Sequence, residues 1–220
     1  MSEPVTLTPA PDCLLCPRLA DFRARNAEKF PSFHNGPVPS FGSPNARLLI
    51  VGLAPGLKGA NRTARPFTGD YAGDLLYPTL EKFGFSRGTY KADPDDGVEL
   101  IDCRITNAVR CVPPQNKPVG AEVVACRPFF ESEMASMPNL EVVLALGGLA
   151  HKATLATLGY TQSAFKFAHN VFHDVQIGDR SLLLANSYHC SRYNTNTGRL
   201  TTEMFEDVFT VVRRHLDRPN

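Results

Sequence analysis

Residues 46–52 read ARLLIVG, and residues 53–70 continue LAPGLKGANRTARPFTGD. The first stretch is an apolar run of strand length without polar alternation, as expected of a parallel strand covered on both faces. It empties into a long glycine- and proline-rich loop. A helix is expected next, from Asp70 or Tyr71 to Phe83, with Leu75, Leu76, Thr79, Leu80 and Phe83 along one side. Strand, loop and helix in this order open an α/β unit.

The pattern recurs outward from there. VELIDCRITNAV at 98–109 reads as a second strand and LEVVLALGG at 140–148 as a third buried one. Helices are expected from about Gly120 to Met137, in LAHKATLATLG, and from about Thr201 to Leu216, the last with a Thr-Thr-Glu start signal. VFHDVQIGDRSLLLAN at 171–186 reads as two strands around a Gly-Asp turn. Upstream, Leu14 to Phe30 reads as a short basic helix, and residues 1–12 as a polar, proline-containing tail. The expected architecture is one α/β domain over residues 13–218, with three α/β/α layers around a mostly parallel, four-stranded sheet.

Composition narrows the function. The chain has 220 residues, 43% of them hydrophobic, and 23 Lys+Arg against 22 Asp+Glu give a formal charge of +1. That balance excludes a histone-like grip on nucleic acid. No run of eighteen apolar residues occurs, so no membrane span is expected. The opening MSEPVTLTPAPD lacks a signal-peptide pattern, and a reducing cytoplasm is the expected compartment. The six cysteines are then not read as disulfides, and the 18 prolines and 16 glycines put the chain's character in its loops.

Three unusual loops should meet at the carboxyl ends of the strands, where open α/β sheets bind ligands. They are LAPGLKGANRTARPFTGD, TNAVRCVPPQNKP at 106–118 and SYHCSRYNTNTGR at 187–199. The first is neither GxGxxG nor a Walker loop. It offers backbone freedom at Gly52, Gly56, Gly59 and Gly69, positive charge at Lys58, Arg62 and Arg65, the ring of Phe67 and the carboxylate of Asp70. Those parts suit a planar ligand, although Phe67 also reads as core and Asp70 as a helix cap. Asn107 ends the second strand with an amide able to donate and accept. In the last loop His189, Ser191, Arg192, Asn194, Asn196 and Arg199 crowd together with no acid. His34, His151, His173 and His215 read as surface or internally satisfied side chains, with His169 intermediate.

Cys13 and Cys16 form a CxxC, and Cys111 and Cys126 a second, wider pair. Four thiols at element ends point to a zinc ion or an iron-sulfur cluster, and spacing alone does not choose. Cys103 reads as core.

These motifs carry a resemblance. CxxC at 13–16, GLAPG with GANRTARPFTGD, TNAVRC at 106–111, Cys126, LALGG at 144–148 and SYHCSRYNTNTGRLT at 187–201 resemble the iron-sulfur uracil-DNA glycosylases, specifically family 5. Family 4 members carry an acid where Leu53 stands. One departure is Cys190, where the family usually has proline.

The resemblance implies a monofunctional glycosylase that flips a deaminated base out of DNA and hydrolyses its N-glycosidic bond in base excision repair. Uracil is the expected substrate, with hypoxanthine, xanthine and ethenocytosine as further ones. By resemblance Phe67 stacks on the base, backbone from Leu53 through Ala54 to Gly56 lines the pocket, and Asn107 binds the base edge. His189 stabilises the departing base, and Asp70 orients water or stabilises the sugar cation. Arg62, Arg65, Ser191, Arg192, Tyr193, Asn194 and Arg199 contact DNA. A 4Fe-4S cluster falls on Cys13, Cys16, Cys111 and Cys126, and a monomer is expected. Two rivals are a lesion- or abasic-site-binding protein of the same fold with little turnover, and a zinc-stapled structural module.

Overall fold

The computed structural model describes residues 6–218. In chain order its elements are α1 (Pro17–Lys29), β1 (Phe41–Gly42), β2 (Leu48–Gly52), α2 (Ala60–Thr63), α3 (Tyr71–Lys82), β3 (Ser86–Arg87), β4 (Glu99–Leu100) and β5 (Cys103–Asn107). A 3-10 turn (Pro114–Asn116) follows. Then come α4 (Gly120–Ala135), β6 (Val142–Leu146), α5 (Gly148–Thr157), β7 (Val171–Ile177), β8 (Arg180–Ser187), α6 (Arg192–Asn196) and α7 (Thr202–Leu216). Of the tail expected over residues 1–12, residues 1–5 lie outside the described residues. Thr6 Oγ1 donates to Ser136 Oγ at 2.7 Å and Leu7 N to Ser132 Oγ at 2.8 Å, which ties the following part to the end of α4.

The main sheet runs β1-β5-β2-β6-β8-β7. Its four inner strands, β5, β2, β6 and β8, are mutually parallel, and β1 and β7 add antiparallel edges. The sheet therefore has six strands, not four. β7 pairs along β8 through the Gly178-Asp179 turn, and β1 is a two-residue strand too short to show a pattern. The second expected strand is also broken. Asp102, at φ +51°, interrupts it, and β4 turns away to pair with β3 in a small separate ribbon.

Alternate residues of β2 feed two cores, since successive side chains of a strand point to opposite faces. Leu48 and Ile50 pack with Leu76 and Leu80 of α3 and Phe205, Val208 and Phe209 of α7. Leu49 and Val51 pack with Phe130 and Met134 of α4 and Ala150 and Leu155 of α5. All five residues of β2 and all five of β6 are buried, which is why both read as unbroken apolar runs. Cys103 lies in the first core at 1% exposure. Among the described residues no helix is long and apolar enough to cross a membrane.

Candidate active site

The carboxyl ends of β2, β5 and β8 open onto a cleft of about 630 Å³, lined among others by Leu53, Ala54, Gly56, Phe67, Asp70, Asn107, His189, Ser191 and Arg192. All three loops singled out in the sequence contribute to it. Gly52 ends β2 directly opposite Asn107, the last residue of β5. A Cβ on Gly52 would collide with Asn107 Oδ1 and lie 2.8 Å from Phe67 Cζ, so only glycine lets the amide and the ring close over the strand end. Asn107 is 4% exposed. Its amide has no protein hydrogen bond among the described residues and borders the cleft.

Phe67 is largely buried and also touches the first core, so its core and ligand-facing readings both hold. Its backbone sits at φ +54°, a left-handed conformation that a phenylalanine adopts only when neighbours enforce it. The enforcement is visible. Tyr90 Oη donates to Phe67 O at 3.2 Å, and Thr63 Oγ1 donates to Thr68 O at 3.0 Å. Arg65 Nε donates to Thr68 Oγ1 at 2.7 Å. Arg65 also forms a two-pronged ion pair with Asp96, both contacts 2.8 Å, beneath the rings of Phe41, Tyr77 and Tyr90. Arg65 was expected to contact DNA, and that expectation is corrected here. Its side chain is 6% exposed and works as an internal brace of the Phe67 loop. Four basic side chains of the first and last loops remain exposed, at Lys58, Arg62, Arg192 and Arg199.

Asp70 is the N-cap of α3, its Oδ1 accepting from Ala72 N at 3.2 Å. Its other oxygen, Oδ2, stands over Gly56 and Gly59, where a Cβ at Gly59 would collide with it. Burial pushes the carboxyl above its ordinary range, against the amides of Ala72 and Gly73, which favour the charged form. One oxygen thus caps the helix while the carboxylate borders the cleft.

His189 follows β8. Its ring centroid is 5.9 Å from that of Phe67 at 31°. Desolvation alone lowers it to about 4, so the imidazole is neutral at physiological pH. Its carbonyl accepts from Asn194 Nδ2 at 2.8 Å, and Ser191 caps α6 by accepting from Asn194 N. The loop is therefore folded onto itself, with Asn194 as an internal tie. Cys190 has no exposed surface and packs in the first core. His169 braces the preceding residue, its Nδ1 accepting from Tyr188 N at 3.2 Å. His151 is buried and bonded on both nitrogens, to Asn186 Oδ1 and Phe165 O.

On the outer face of α6 Tyr193 is 70% exposed, beside Arg192, whose guanidinium lies 5.2 Å over the ring of Tyr71. Arg199 stacks at 4.6 Å on Tyr188. Asn116 and Tyr71 also line the cleft, unremarked in the sequence. Asn116 hangs from the Pro-Pro turn at φ +56°, and the VPPQN string was its one available signal.

The four cysteines come together away from this cleft. Cys13, Cys16, Cys111 and Cys126 line one small cavity with Leu19, Val109 and Phe129. Burial raises the Cys16, Cys111 and Cys126 thiols, Cys111 to about 12, and their mutual charge adds to it. Among the described residues no three His, Cys, Asp or Glu side chains gather into a single-ion site.

The model of the family described as "Uracil DNA glycosylase superfamily" matches residues 39–213. A type-5 uracil-DNA glycosylase of Thermus thermophilus is 44% identical over 92% of this chain and 93% of its own length. One from Pyrobaculum aerophilum is 40% identical over 90% and 86%. The chain belongs to the uracil-DNA glycosylase superfamily, with its type-5 members. A type-4 enzyme of Sulfurisphaera tokodaii is more distant, at 27% over 80% of this chain and 74% of its own. The family assignment drawn from Leu53 and the NTNTGRLT string agrees with that order.

Proposed function

We propose that this protein excises uracil from DNA by hydrolysing the N-glycosidic bond, as the names of its type-5 relatives describe for them. One observation carries the reading. A carboxylate, a neutral imidazole, a free amide and an aromatic face, on three separate loops, converge on one cleft. In the proposed reaction the flipped base lies on Phe67, and Asn107 bonds its polar edge. As the bond breaks, charge develops on the base oxygen and the neutral His189 N–H donates to it. Asp70, ionised, faces the cation-like sugar and orients the attacking water. Tyr193 fills the vacated space in the helix while Arg192, Arg199 and Arg62 meet phosphates. Ser191 holds the turn that carries them.

A cleft of about 630 Å³ supports hypoxanthine, xanthine and ethenocytosine as further substrates. Since one chain supplies every side chain invoked, the acting species is proposed to be a monomer.

The cysteine cavity supports a resident 4Fe-4S cluster on Cys13, Cys16, Cys111 and Cys126. The donor set is all sulfur in an apolar wall, with Arg110 N directed at Cys126 Sγ at 3.4 Å. The resemblance of the motifs to iron-sulfur members of the family favours a cluster over a single zinc ion. When bound, it supplies a cross-link between the chain's N-terminal segment, the loop after β5 and α4, remote from bond breaking.

The test is a single-turnover assay on a duplex holding one uracil, with free base and alkali-labile strand measured. Cluster-loaded protein should release the base without added metal, and His189→Ala and Asp70→Asn should slow release by about 10²–10³-fold. Tight binding with no release would replace this reading by the lesion-binding one.

A further inference from the structure

Helix α1 buries an arginine. Arg23 is 6% exposed, on the face that also carries Leu19. Its Nη1 lies 3.5 Å from Cys111 Sγ and 3.4 Å from Pro11 O, and its Nη2 donates to Cys13 O. Its Nε is buried without any partner. The other deeply buried arginines have carboxylates, Arg65 with Asp96 and Arg110 with Glu133, and the buried Glu122 has Arg18. Among the described residues Arg23 has none. A guanidinium does not shed its proton, so burying one without an anion is strongly unfavourable.

We infer that Arg23 is the counter-cation of the thiolate cage, holding iron in the protein by charge and by hydrogen bonding to Cys111 while its Nη2 fixes the Cys13 end. The inference rests on the cluster reading above. Four cysteinates around a doubly charged cluster core leave a dianion, and among the described residues Arg23 is the one buried cation turned toward it without a carboxylate of its own. Apart from Arg110, whose charge is met by Glu133, and the cysteines themselves, the cavity wall is apolar, so the attraction is little screened. With the thiols protonated and no metal bound, the same arginine is a liability.

The experiment measures iron and sulfide in the purified holoprotein, then iron release to a ferrous chelator, for wild type and Arg23→Lys, Arg23→Gln and Arg23→Met. Wild type without iron would remove the cluster reading itself, whatever the variants do. With iron present, Arg23→Met should lose it about tenfold faster, the weight of one charge-assisted hydrogen bond. Arg23→Lys, which keeps the charge, should lie between wild type and Arg23→Gln. Wild-type release rates in all three variants, or a lysine variant no better than glutamine, would overturn the inference. A readout that a purely structural role would not move is the thermal midpoint before and after stripping. Arg23→Met should cost more Tm in loaded than in stripped protein. Equal penalties, or three variants that fail to fold even when loaded, would assign Arg23 to fold support through Pro11 and Cys13 and overturn the role proposed.

Discussion

The ring of Phe67 stands 5.9 Å from that of His189, tilted by 31°, although the two residues reach the cleft on separate loops, one after β2 and one after β8. The stacking surface and the hydrogen-bond donor of the proposed reaction are thus held in one frame. Phe67→Ala should weaken base binding by about 1–3 kcal/mol, the usual value of base–aromatic stacking. It should appear as a raised KM and a smaller loss of single-turnover rate, with Phe67→Leu between. A rate loss with unchanged KM would mean that the ring acts on chemistry through His189 rather than on the base.

Acid should inactivate the enzyme through two protonations, if the roles proposed for His189 and Asp70 hold. The neutral imidazole proposed as donor gains its proton only near pH 4. The ionised carboxylate proposed at Asp70 takes up a proton above the ordinary carboxylate range because it is buried. Both losses occur on the same side, so the single-turnover rate rises from acid and is level through neutrality with no break near 6.5. Asp70→Asn should remove one of the two acid inflections. Because asparagine caps helices as well as aspartate does, that variant should keep its stability, whereas Asp70→Ala should lose about 1 kcal/mol besides its activity. An inflection near pH 6.5 that disappears in His189→Gln would contradict the neutral imidazole.

The buried parallel strands were legible because covering both faces leaves an unbroken apolar run, as in Leu48–Gly52 and Val142–Leu146. β1 was not, because two residues carry no period and its pairing is decided by β5 from more than sixty positions away. Asp70 could be read both as cap and as site residue, and its carboxylate caps α3 and borders the cleft. Arg65 could not be read. Its partner lies in DPDDG, a string with every mark of a solvated turn, and nothing local reveals that Asp96 folds under the Phe67 loop. The short α6 was hidden similarly, since Ser191 caps it inside a string that reads as loop.

That buried pair separates two kinds of arginine in an experiment. Arg65→Met leaves the enclosed Asp96 carboxylate with only the backbone amides of Lys91 and Val98 and no counter-charge, and should cost about 3 kcal/mol of unfolding free energy. The pair holds Asp96 well below its ordinary range, so its contribution is complete above that range and fades as pH falls through it. The variant's deficit should accordingly shrink in acid. Arg192→Ala and Arg199→Ala should leave Tm nearly unchanged. Each should flatten the dependence of log affinity for DNA on log salt by about one unit. A reduced salt slope in Arg65→Met at unchanged stability would return that residue to the DNA surface.

Gly52 tests the cleft without touching any group that takes part in bond breaking. It ends β2 in ordinary strand backbone, so alanine there meets no conformational penalty, only the space already taken by Asn107 Oδ1 and Phe67 Cζ. The strand itself is fixed by ladders to β5 and β6 and by fully buried neighbours. The added methyl must therefore displace the amide, the ring or both. Gly52→Ala should raise KM for uracil-containing DNA at least tenfold and lower the single-turnover rate. Its unfolding free energy should fall by only about 1–3 kcal/mol, the range for overpacking by a methyl. Affinity for undamaged duplex should not change, because the exposed cations are untouched. Unaltered uracil excision by a folded Gly52→Ala protein would mean that Asn107 and Phe67 can move apart freely, and would detach both from recognition of the base.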